Sequence, residues 1–260
     1  MDLGLDGKRA LVLASTRGLG HGVARALARD KAQVMICGRT GAPDAATQLA
    51  RETGATVHGV DCDLHDRAAL DALVDEAFAR MSGVDILVLN GGGPPPAPAM
   101  QISDAQWREW FDHMVAGLIH VATRCVPAMS EAGWGRVLTI ASSAAVQPIA
   151  NMALSNSLRA TLLAWNKTLA AEVGPQGVTC NVILPGRIHT ERVDKLDQGV
   201  ADREGLTLEQ ARGRSVATIP LGRYGSTEEF GAVGAFLCSQ PASYVTGMVM
   251  RVDGGIIRAI

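Results

Sequence analysis

"RALVLASTRGLGHGVARALA", residues 9–28, is the stretch on which the fold turns. After Arg9 it opens with an apolar run of strand length. Glycines 18, 20 and 22 then break the run, and an amphipathic pattern of helical period follows. A strand that turns sharply into a helix leaves the helix's first N–H groups without intrahelical partners, and those groups favour an anion. Bare backbone at Gly18 and Gly20 would let a pyrophosphate come close, while Gly22 would let the helix lie close against a sheet. The spacing is not GxGxxG, so the general dinucleotide fingerprint is met only in part. A glycine turn selected for packing alone is the plainer alternative.

Outward from this stretch the rhythm repeats. Strand-length apolar runs stand at 33–37, 56–60, 85–90, 136–141, 178–184 and 248–253. Helical patterns near 19–29, 42–53, 66–81, 104–131, 150–174 and 226–238 alternate with them. Strands that are apolar at nearly every residue are covered on both faces, as in a parallel sheet. The alternation predicts one α/β domain over residues 1–260, doubly wound about a mostly parallel, seven-stranded Rossmann-type sheet. The long polar segment 190–220 interrupts it and reads as a mobile excursion over a cleft, placed to shape a substrate pocket.

Composition excludes several classes of function. With 24 basic and 26 acidic residues the net charge is −2, and aromatics make up 4%, which leaves neither a basic groove nor a stacking platform for nucleic acid. The five cysteines are dispersed without a CxxC pair, which suits a reducing compartment. Charge within the first residues, and a short apolar run after them, argue against a signal peptide or membrane span. His113 and His120 lie two turns apart on one helix, too far to share a metal, and no other ligand spacing occurs. The expectation is a cytoplasmic protein with a small-molecule substrate and no metal, nucleic-acid or membrane partner.

The second strand ends "ICGRT" (36–40), offering Arg39 and no acid; Arg17 adds a second guanidinium in the glycine turn. An acid at this strand end meets a ribose hydroxyl, whereas arginine meets a 2′-phosphate. The pair therefore selects NADP(H) over NAD(H).

Taken in order, several segments resemble the short-chain dehydrogenase/reductase family over nearly the whole chain. "LASTRGLG" (13–20) matches TGxxxGxG, with Leu13 and Ala14 in place of Thr and the first Gly. Asp63 in "DCDL" (61–64), "LNGG" (89–92), Ser142 in "GRVLTIASS" (135–143), "LPGRIHT" (184–190) and "VDGG" (252–255) follow at family spacing. The resemblance implies hydride transfer between a nicotinamide and a carbonyl or alcohol, in a homotetramer or homodimer packed through the helices around 104–131 and 150–174. It assigns Ser15, Arg17, Gly18, Leu19, Gly20, Arg39, Asp63 and Leu64 to the adenosine and phosphate end of the cofactor. Asn90, Gly91, Arg159, Pro185, Gly186, Ile188 and Thr190 fall to the nicotinamide end, with "GGGPPPAPA" (91–99) a stiff wall beside it.

The likeness fails at the proton donor. The family places Tyr thirteen residues after its serine, in YxxxK, and an Asn on the preceding helix. Here those positions hold Ser155, Arg159 and Met114. In "NMALSNSLRATLLAWNKTL" (151–169), Leu158, Leu162, Trp165 and Leu169 form an apolar stripe, and Ser155 and Arg159 lie along its edge. The bland reading is a serine bonded back to its own helix and an arginine reaching water. Arginine, which keeps its proton at any ordinary pH, is no proton source, and an aliphatic hydroxyl is far less acidic than a phenol. Ser142, Ser155 and Arg159 thus form the candidate catalytic group, with His189 a spare acid–base group. Three readings follow: an oxidoreductase with a non-standard proton path, a non-redox lyase, isomerase or dehalogenase on the same fold, and a catalytically silent NADP(H)-binding protein.

Overall fold

The computed structural model describes residues 1–259. Along the chain these form β1 (Arg9–Val12), α1 (Gly18–Arg29), β2 (Gln33–Gly38), α2 (Ala42–Thr53), β3 (Val57–Asp61), α3 (Arg67–Met81) and β4 (Ile86–Leu89). There follow α4 (Asp104–Phe111), α5 (Gly117–Glu131), β5 (Gly135–Ile140), α6 (Ala153–Val173) and β6 (Val178–Pro185). The chain then continues through α7 (Glu191–Glu204), α8 (Leu208–Val216), α9 (Thr227–Leu237) and β7 (Val249–Val252). The strands pair in the order β3-β2-β1-β4-β5-β6-β7, every pair parallel. This is the predicted doubly wound sheet.

Its two faces carry separate cores. One gathers Val23, Leu27, Leu49 and Phe230 from α1, α2 and α9. The other gathers Leu70, Leu73, Val121, Cys125, Leu158 and Leu162 from α3, α5 and α6. Because β1 is flanked by β2 and β4, the chain reverses its winding there, and a crevice opens beyond the carboxyl ends of β1 and β4.

Two expectations are corrected. The segment 190–220 is not a loop but two helices, α7 and α8, begun by the side-chain caps Thr190 and Thr207. The buried residues of α7 are only Asp197 and Ala201, so the helix lacks the apolar stripe by which periodicity would reveal it. The single helix read over 104–131 is divided by a π turn at Asp112–Ala116, where Met114 and Val115 are buried. Such turns insert one residue and re-aim the side chains around them.

Candidate active site

The glycine turn is built by close approach. A Cβ on Gly20 would stand 2.7 Å from both the Ala14 carbonyl and Asn90 Nδ2, the two groups that hydrogen-bond across the turn at 3.0 Å. Gly18 takes φ +64°, a conformation that favours glycine, and Ala14 takes φ +45° without that freedom. Gly22 serves a different contact from the one expected: a Cβ there would lie 2.4 Å from the Thr227 carbonyl, so it admits α9 rather than the sheet.

Helix α1 begins with no side-chain cap and no acid in its first turn. Its orphan N–H groups behind bare Gly18 therefore fit an anionic group such as a pyrophosphate.

The remaining residues assigned to this end fall into three kinds of place. Ser15 is fully buried; its Oγ donates to the Val12 carbonyl at 2.6 Å and accepts from Cys37 N at 3.2 Å, so its hydroxyl joins β1 to β2 instead of facing a ligand. Leu19 and Leu64 are half-buried against the two cores. Arg17 is exposed and paired with Glu191 at 3.0 Å, which ties the turn to the start of α7. Arg39 is exposed and has no carboxylate partner among the described residues. Asp63 accepts the His65 N–H at 3.1 Å, and the His65 ring stacks on His113 with centroids 3.7 Å apart.

At the other end of the crevice, α6 brings two buried polar side chains inward: Ser155 is 6% exposed and Arg159 8%. Neither follows the bland reading. Thr161 and Thr168, on the same helix, donate back to the carbonyls of Ser157 and Ala164. Ser155 Oγ makes no hydrogen bond among the described residues. Arg159 donates through Nη1 to the Ile140 carbonyl at 2.8 Å and through Nη2 to the Gly91 and Gly92 carbonyls, each at 3.2 Å. The guanidinium thus braces the carboxyl end of β5 against the loop after β4. Burial, with the nearby charge of Arg192, lowers its pKa to about 10, so it stays charged at neutral pH. Its Nε is buried without a partner.

Ser142 ends the extended stretch after β5, and its Oγ accepts the Ala144 N–H at 3.2 Å. Neither tyrosine is free to stand in as a proton donor beside it: Tyr224 donates to Asp197 Oδ2 at 2.8 Å, and Tyr244 is fully exposed. His189 is exposed and lies 3.4 Å from Asp194, which places its imidazole in a surface pair.

Pro185 ends β6 and Gly186 follows it, its N–H donating to the Val252 carbonyl; Ile188 is buried, and Thr190 caps α7. A Cβ on Gly18 would stand 3.9 Å from Thr190 Cγ2, so the 185–190 segment closes the crevice opposite the glycine turn.

Three features lay beyond the sequence reading. Asn166, fully buried on α6, donates to the Cys180 carbonyl and accepts from Thr139, docking that helix on β5 and β6. Asp197 receives Arg187 and Tyr224 under α7. Arg192, on the first turn of α7, leans over Gly93. Only Arg192 had a signal available, namely its place two residues after Thr190. Among the described residues no cluster could hold a metal ion, and no helix is long and apolar enough to cross a membrane.

An all-parallel sheet with a bare glycine turn at its switch point and a polar group on the helix after β5 defines a dinucleotide-binding α/β protein. More narrowly, the chain belongs to the short-chain dehydrogenase/reductase family. A family profile described as "Enoyl-(Acyl carrier protein) reductase" matches residues 13–257. The chain is 32% identical over 258 residues to the 3-oxoacyl-[acyl-carrier-protein] reductase FabG of Aquifex aeolicus, covering 98% of this chain and 100% of that one. Among solved structures it is similar to the L-sorbose reductase of Gluconobacter frateurii complexed with NADPH and L-sorbose, with TM-score 0.95, 30% identity and full coverage of both chains. It is also similar to a single-substitution variant of the actinorhodin polyketide ketoreductase with NADPH, with TM-score 0.90, 29% identity and coverage of 96% and 97%.

Proposed function

We propose that the chain is an NADP(H)-dependent oxidoreductase that interconverts a carbonyl and an alcohol without a tyrosine acid. The observation that carries this reading is the pairing on α6 of a serine hydroxyl that no protein group engages with a buried, charged guanidinium one turn on. The NADPH-bound neighbours support the choice of cofactor.

The first N–H groups of α1 at Gly18–Gly20 would hold the pyrophosphate, and Arg39 the 2′-phosphate. Asp63 and Leu64 would flank the adenine, Asn90, Gly91 and Arg159 the nicotinamide ribose, and Pro185, Gly186, Ile188 and Thr190 the nicotinamide face. When bound, the cofactor supplies or takes up a hydride. The chain's own contribution is to the oxygen. Ser142 and Ser155 donate hydrogen bonds that orient the substrate oxygen and a water molecule, and that water gives the oxygen its proton and regains one from bulk solvent. Arg159 stabilises the negative charge developing on the oxygen while keeping its own proton. Loss of a positioned general acid costs about 10²–10⁴ in rate, so a reductase of this kind is slow rather than dead.

A second reading, nucleotide binding without turnover, is favoured by the engagement of the Tyr224 phenol with Asp197. Titrating NADPH by fluorescence and then screening carbonyl compounds, 3-oxoacyl thioesters and ketoses first, separates the two. Oxidation of bound NADPH is expected, and Ser155→Tyr combined with Arg159→Lys should raise kcat by about tenfold or more by restoring an acid. Binding without turnover across the panel would leave the second reading. Absence of NADPH binding would remove both.

A further inference from the structure

The start of α7 lies across the crevice and sends two side chains to its two banks. Glu191 reaches Arg17 beside the glycine turn. Arg192 reaches the opposite bank: a methyl group on Gly93 would stand 2.8 Å from its Nη2, so the guanidinium rests against that glycine. It makes no hydrogen bond or ion pair among the described residues. The two residues before Gly93 supply the carbonyls that hold Arg159. Two guanidiniums therefore converge on three consecutive residues of one loop.

Among the described residues, the carboxylates of α7 and of the turn beyond the 185–190 segment are engaged elsewhere. On α7 itself, Glu191 holds Arg17, Asp194 holds Arg212 and lies beside His189, and Asp197 holds Arg187 and Tyr224. Beyond the 185–190 segment, Asp253 accepts the backbone N–H groups of Gly255 and Ile257. Arg192 is exposed at the rim, where its guanidinium keeps its donors free for an anion, while Arg159, nine-tenths buried behind it, adds a second positive charge and carries an unpartnered Nε.

We propose that Arg192, backed by Arg159, receives a carboxylate of the substrate, which makes the substrate an oxo acid or hydroxy acid rather than a neutral carbonyl compound. The oxo and hydroxy part of this statement rests on the oxidoreductase reading; the carboxylate part does not. A planar guanidinium binds a carboxylate through two parallel hydrogen bonds and discriminates strongly against its ester, which lacks the charge. The pyrophosphate of the cofactor is the other anion that could reach Arg192.

The test uses the full chain loaded with NADPH, and its Arg192→Met and Arg192→Lys variants, titrated calorimetrically with acetoacetate, levulinate and their methyl esters. The acids should bind about tenfold or more tightly than the esters, a preference lost in Arg192→Met and partly kept in Arg192→Lys. NADPH affinity should change less than about twofold. Equal binding of acids and esters, or a preference that survives Arg192→Met, overturns the assignment. So does a loss of NADPH affinity with the acid preference intact, which gives Arg192 to the pyrophosphate. Acids that bind with the stated preference but consume no NADPH sink the oxidoreductase reading and leave the carboxylate receptor standing.

Discussion

Ala14 occupies a backbone conformation, φ +45°, in which a Cβ crowds its own carbonyl. Ala14→Gly should stabilise the fold by about 1 kcal/mol less the added freedom of the unfolded chain, raising Tm by up to about 2–4 °C in a thermal melt. A lower Tm would mean that the methyl group supports the turn by packing. The same position illustrates how far single residues were legible. The departure from the family's glycine could be read directly, but the strain it creates needed the dihedral angle. Ser155 and Arg159 could be placed on the edge of an apolar stripe because helical period is local. Their partners could not, since Ile140, Gly91 and Gly92 come from two other strand ends. Asn166 was missed for a related reason. It takes a buried position on α6 while Trp165 and Leu169 are only partly buried, and its hydrogen-bond partners lie on β5 and β6.

Among the elements, α9 shows how a helix start is fixed locally. Ser226 and Glu229 form a reciprocal capping box, and Arg223 pairs with the same carboxylate at 2.6 Å. The Arg223 guanidinium first, then the Ser226 N–H, lower the Glu229 pKa to about 2. A carboxyl whose folded pKa is depressed stabilises the fold above its unfolded value, and that contribution fades as pH falls toward the folded one. The Tm gap between the wild type and Glu229→Gln should therefore be widest near neutral pH and narrow by pH about 3; a gap independent of pH would assign the effect to packing. Box residues are readable from a sequence, and Thr207 with Gln210 carried the same signature at α8. That helix and α7 went unread because their polar faces offered no period, not because their caps were silent.

At the scale of the whole molecule, the doubly wound parallel sheet was legible from alternation and the seat of the crevice from the glycine turn, whereas the strand order came only with the structure. What the isolated chain leaves open is its outer surface. On α6, Ser157, Thr161, Ala164, Thr168 and Ala171 are exposed along one face, and the hydroxyls of Thr161 and Thr168 bond back to their own helix, leaving methyl groups outward. Such a flat face of small side chains lets another helix approach closely. A dimer or tetramer through this face is the expected state in solution, measured by light scattering, and Ala164→Arg should shift it toward monomer. A wild-type monomer would reject it.

The bare start of α1 has a thermodynamic corollary. A ligand that satisfies those amides in the folded chain alone adds stability that grows with its concentration, about 2.7 kcal/mol when it stands a hundredfold above its dissociation constant. Nucleotide supply would then govern how long each copy lasts as well as how fast it works.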